Sequence, residues 1–103
     1  MILIADSGSS KTHWGLFEPG SEPQILEGLG LNPYFISPED MVKEINTLFS
    51  DPVKHTIKRV IFYGSGCGNT QNHTLVYSVL TSVFGKVGIE VNTDIQGAAR
   101  SIL

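Results

Sequence analysis

Short apolar runs and amphipathic stretches alternate along this chain with clusters of Gly, Ser, Pro and Asp. Ile2 to Ala5 is apolar and β-branched at Ile2 and Ile4, which predicts a buried strand. Asp6-Ser7-Gly8-Ser9-Ser10 is turn chemistry. The next strand puts Trp14 and Leu16 on one face and His13, Gly15 and Phe17 on the other. Pro19-Gly20 and Pro23 end it, and Gln24 to Leu29 returns as a third strand. The first third therefore reads as a β-meander opened by a hairpin.

The rest alternates helix and strand. Ser37-Pro38-Glu39-Asp40 is a helix start: Ser37 suits the cap, and Pro38 suits the first helical position. Met41, Val42, Ile45, Leu48 and Phe49 form one apolar stripe, and Asp51-Pro52 stops it. Val60 to Tyr63 is an apolar strand that runs into Gly64-Ser65-Gly66-Cys67-Gly68. A helix follows with Leu75, Val76, Val79, Leu80, Val83 and Phe84 on one side, closed by Gly85. Ile89, Val91 and Thr93 alternate as a strand, and Ile95, Ala98, Ala99, Ile102 and Leu103 take helical spacing. The order β-β-β-α-β-α-β-α predicts an α/β fold, a mixed sheet with helices packed on it, in a single domain over 1–103. The final helix ends on Ile102-Leu103 without cap or polar tail. Its apolar face leads us to expect either one lobe of a longer protein or a partner, such as a second copy of the chain, that supplies the missing surface.

Composition narrows the classes. With 41% hydrophobic and 17% charged residues, the 103-residue chain has the makeup of an ordinary globular domain. A net charge of −3 and the lack of a basic stripe argue against nucleic acid as a partner. The apolar start breaks at Asp6, too early for a signal core or a membrane span. Cys67 is the single cysteine, so no internal disulfide forms and a reducing cytoplasm is the expected location. His13, His55 and His73 lack metal-ligand spacing and read as surface or turn residues.

The hairpin turn carries the candidate chemistry. Gly8 lets backbone approach a ligand closely, and successive N–H groups in a tight turn form an anion-binding concavity. Ser9, Ser10 and Thr12 add hydroxyls, Lys11 a point charge, and Asp6 a carboxylate suited to magnesium. Ser10 rather than Gly precedes Lys11, and a strand rather than a helix follows, so this is not a P-loop. Asp, Ser and Gly also make ordinary polar turns, and spacing alone leaves both readings open. In Gly64-Ser65-Gly66-Cys67-Gly68 the last glycine comes one residue early for a dinucleotide fingerprint, with no acidic residue about 20 positions on. Asp94, at a strand end and helix start, also suits a plain helix cap.

Met1 to Trp14 closely resembles the opening of the actin-like ATPase superfamily. Within it, the likeness is to the branch of N-acetylglucosamine kinases and of the ATPases that activate benzoyl-CoA reductase and 2-hydroxyacyl-CoA dehydratase. Gly30-Leu31-Asn32-Pro33, Val60 to Cys67, and Asp94-Ile95-Gln96-Gly97-Ala98-Ala99-Arg100 resemble further family segments, in order. The resemblance implies a ribonuclease-H-like lobe of a two-lobe enzyme that uses ATP and Mg2+ to phosphorylate a sugar, with an N-acetylated aminosugar as acceptor. Gly8, Ser9, Ser10, Lys11 and Thr12 would hold phosphates, and Asp6 the metal. Asn32, with Gly64, Ser65 and Gly66, would frame the acceptor. Asp94 would be the general base. The same resemblance leaves open an activator ATPase, and an interaction domain that kept the fold without the chemistry. Ser10 stands where the family usually has Thr, and His13 where it usually has Asp, which removes a carboxylate near the metal. The family's second phosphate loop and adenosine motif belong to a carboxyl-terminal lobe, so these 103 residues alone are expected to be inactive.

Overall fold

The computed structural model describes residues 1–93, so Asp94 and the expected last helix lie outside the described residues. The opening meander consists of β1 (Ile2–Ser7), β2 (Lys11–Phe17) and β3 (Gln24–Leu29). Helices α1 (Pro38–Leu48) and α2 (Asp51–Thr56) follow, then β4 (Arg59–Gly64), α3 (Thr70–Phe84) and β5 (Gly88–Asn92). The five strands form one mixed sheet in the order β3-β2-β1-β4-β5. The hairpin pairs Ile2 with Phe17 and Ser7 with Thr12, antiparallel, whereas β4 lies parallel to β1 with Leu3 beside Val60.

Alternation along the strands decides what the sheet buries. Leu3, Ala5, Trp14, Leu16, Val60, Phe62 and Val91 share the face covered by the helices and are all under 9% exposed. Met41 and Ile45 from α1, and Val76, Val79 and Leu80 from α3, complete this core. Trp14 sits at its centre, T-shaped to Phe49 with ring centroids 5.4 Å apart. Ile4, Ile61 and Tyr63 form a smaller cluster on the opposite face, with Phe17 half-buried against it.

Local signals act where expected. Ser37 caps α1 by accepting from Asp40 N–H at 3.2 Å, with Pro38 in the first turn. Gly85 closes α3 at φ +82°. One element departs from expectation. The α1 stripe does end before Asp51-Pro52, but these residues also open α2. Extended backbone at Phe49 and Ser50 breaks the first helix, and the N–H that Pro52 lacks is one a first turn leaves unpaired anyway.

Candidate phosphate and acceptor site

The strands β1, β4 and β5 run parallel and finish at the same sheet edge. Between β1 and β4 the chain's course reverses, because β2 and β3 lie to one side and β5 to the other. Open α/β sheets bind ligands at such a switch point, outside the carboxyl ends of the strands. Here a cleft of about 210 Å³ is lined by Asp6, Ser7, Gly8, Tyr63, Gly64, Ser65 and Thr93. Asp6 and the Gly64–Ser65 loop therefore face a shared opening, and Thr93, which immediately precedes Asp94, lines it too.

The turn between β1 and β2 is closed by Gly8 N–H donating to Lys11 O at 2.8 Å. Ser9 and Ser10 are exposed at its tip, with their hydroxyls open to solvent. Asp6 is half-buried, and among the described residues no side-chain hydrogen bond or ion pair engages its carboxylate. A hard oxygen donor left uncommitted beside a turn of amides and hydroxyls suits Mg2+, which takes one or two carboxylates and completes its shell with water and phosphate oxygens. No group of three or more His, Cys, Asp or Glu suited to a metal occurs among the described residues.

Two residues of the turn behave differently from the expectation of free donors. Thr12 is fully buried, and its hydroxyl donates to Leu29 O at 2.8 Å. Its one proton is committed inside the fold, so it offers a ligand no hydroxyl donor. Lys11 is exposed, but its ammonium lies 3.2 Å from Glu27 on β3, with His13 Nε2 3.4 Å from the other oxygen of the same carboxylate. The Lys11 ammonium beside it, and secondarily His13, hold Glu27 below the usual carboxylate range. Strand alternation explains both positions: Thr12 shares the buried face with Trp14, and Lys11 and His13 share the other.

The residues expected to frame the acceptor meet across two loops. Asn32 is 5% exposed, with Nδ2 donating to Ser65 Oγ at 3.4 Å and Oδ1 accepting from Tyr34 N–H at 3.0 Å. Gly66 lies against it at φ +82°, where a Cβ would stand 2.4 Å from Asn32 Oδ1. Asn32 thus stitches the loop after β3 to the loop after β4. Asn69 and Asn72, which sequence reasoning passed over, reinforce the stitch. Asn69 caps α3 through Asn72 N–H and donates to Tyr34 Oη at 3.1 Å, and Asn72 donates to Gly66 O at 2.8 Å. The cap was legible in the Asn69-Thr70 start of the helix, but the cross-loop bonds carry no sequence signal. Cys67 is buried, and burial pushes its thiol up. His73 lies on α3, its Nε2 3.0 Å from Val91 O.

Sheet order, hairpin turn and cleft together define a domain with the fold of the actin-like kinases. No family model matches the chain, and no curated protein matches it by sequence. Ten chains of solved structures do match. One of them, a protein of Porphyromonas gingivalis provisionally named N-acetylglucosamine kinase, is 31% identical with a TM-score of 0.80 over 98% of this chain. The chain spans 37% of that protein's length. The likeness makes this a sugar-kinase-like domain.

Proposed function

We propose that the chain is the amino-terminal, phosphate-binding lobe of an ATP-dependent sugar kinase whose acceptor is an N-acetylated aminosugar of the N-acetylglucosamine type. The observation that carries the reading is the cleft at the carboxyl ends of β1 and β4, where the uncommitted Asp6 carboxylate, Gly8 and Ser65 line one opening. The Porphyromonas gingivalis neighbour supports the sugar class.

Mg2+-bound ATP would supply the phosphoryl group. Asp6 is the residue suited to hold the metal, directly or through water. The Ser9 and Ser10 amides and hydroxyls are suited to spread-out negative charge on phosphate oxygens, whereas the Gly8 amide is spent on closing the turn. Lys11 reaches phosphate only by exchanging Glu27 for it, a low-cost exchange for an exposed pair. Asn32 orients the acceptor through its remaining Nδ2 hydrogen. Asp94 accepts the proton of the acceptor hydroxyl, a role in which orientation matters more than basicity.

The test is an ADP-release assay on the longer protein proposed here, with N-acetylglucosamine and other aminosugars. Acceptor-dependent ADP is expected, with kcat falling about 10²–10⁴-fold in Asp94→Asn. ADP release indifferent to every sugar, and unchanged in Asp94→Asn, would refute the kinase reading.

A further inference from the structure

A run of hydroxyl hydrogen bonds ties the phosphate turn to the loop that carries Asn32. Leu31 N–H donates to Ser7 Oγ at 2.8 Å, the Ser7 and Thr12 hydroxyls lie 2.7 Å apart, and Thr12 donates to Leu29 O at 2.8 Å. Each hydroxyl has one proton. That of Thr12 is on Leu29 O, so Ser7 must be the donor between the two. The relay therefore runs in one direction, from Leu31 N–H through Ser7 and Thr12 to the Leu29 carbonyl. Ser7 is 2% exposed and Thr12 0%, so removing one member leaves a buried polar group without its partner.

A second contact is independent of the first. A Cβ on Gly30 would lie 2.5 Å from Gly8 O and 2.6 Å from Ser9 O. The loop backbone thus rests directly on the turn backbone, at a distance only glycine permits. Two residues further on, Asn32 is held between Ser65 and Tyr34. Turn, loop and acceptor-side residues form one unbroken series of short contacts.

From this geometry we infer that Ser7 and Gly30 are positioning residues that fasten the Leu29–Asn32 loop to the phosphate turn, so that filling the turn with polyphosphate is felt at Asn32. The inference rests on the phosphate-turn reading above and adds a coupling between its two halves. Neither residue needs to touch a ligand. Ser7 acts through Leu31 N–H, and Gly30 through the carbonyls whose direction sets where the turn's amides point.

The test uses the 15N-labelled chain, titrated with inorganic tripolyphosphate in the presence of Mg2+ and followed by amide chemical shifts. In the native chain the Gly8–Ser10, Leu31 and Asn32 amides should shift together with one dissociation constant. In Ser7→Ala the shifts at Leu31 and Asn32 should fall at least about fivefold relative to those of the turn. Gly30→Ala should weaken binding at the turn itself. Loop shifts that persist in Ser7→Ala, or native affinity in Gly30→Ala, would overturn the inference. If Ser7→Ala does not fold, Ser7→Cys keeps the size with a weaker acceptor and is judged by the same criterion. A native turn that fails to respond would sink the phosphate reading and, with it, the transmission of occupancy. The fastening is then judged without ligand, by amide hydrogen exchange. Ser7→Ala should lower protection of both Leu31 and Gly8 by about tenfold, and loss at Leu31 alone would overturn it.

Discussion

Replacing Gly66 with alanine perturbs the junction of the loops after β3 and β4. Two costs add. Gly66 sits at φ +82°, which in an L-residue with a side chain costs about 1–2 kcal/mol. The new methyl would also stand 2.4 Å from Asn32 Oδ1 and 2.9 Å from its Cγ, so the carboxamide must move. Asn32 is 5% exposed and has little room to do so without releasing Tyr34 N–H or Ser65 Oγ. One such bond is worth about 0.5–1.5 kcal/mol. The sum is about 1.5–3.5 kcal/mol, which for a domain of this size lowers Tm by roughly 6–28 °C. Calorimetry or thermal circular dichroism measures the total, and a double-mutant cycle separates its parts. In an Asn32→Ala background the methyl meets no carboxamide, so Gly66→Ala should there cost only the backbone strain. The difference between backgrounds should be about 1 kcal/mol. An equal cost in both backgrounds, or a total below about 0.5 kcal/mol, would refute the argument that Asn32 and Gly66 are fitted to each other.

Other consequences follow from the same contacts. Ser37→Ala should lower stability by about 1 kcal/mol in urea unfolding, because Asp40 N–H loses its cap; Ser37→Asp should not. Glu27 should titrate below its ordinary value in an NMR pH series, and Lys11→Ala should bring the midpoint back up. A lowered folded value means that the pairing favours the fold above the unfolded carboxylate range and is lost as pH falls through the folded value; both partners are exposed, so added salt should shrink the effect. Cys67 is buried with its thiol pushed up, so thiol reagents at neutral pH should label it far more slowly in the native chain than in denaturant. Equal labelling rates would place it at the surface.

The likeness to a longer kinase sharpens what this domain can do by itself. The chain spans 37% of the Porphyromonas gingivalis protein, and among the described residues its cleft lies at the sheet edge.

Much of this architecture is written locally in the chain. Alternation through Trp14 and Leu16, the helical stripe from Met41 to Phe49, the Ser37-Pro38 start and the Gly85 stop each act within a few residues. Periodicity of 2.0 or 3.6 assigns side chains to faces before any tertiary contact forms. Burial then follows from the face, which is why the core on the helix side is legible in advance. Periodicity does not say which strand lies beside which, or which polar groups meet across loops. The parallel pairing of β1 with β4 brings Ser7 beside Gly64, far apart in sequence, and only that pairing makes Asp6 and Ser65 line one cleft. The same holds for the fate of individual donors. Thr12 reads as a turn hydroxyl, yet its strand parity buries it against Leu29 O, and Lys11 finds Glu27 only because β3 closes beside β2. A local pattern determines which way a side chain points; what it meets there is decided by chain brought in from elsewhere, and a buried polar group must take whatever partner that chain supplies.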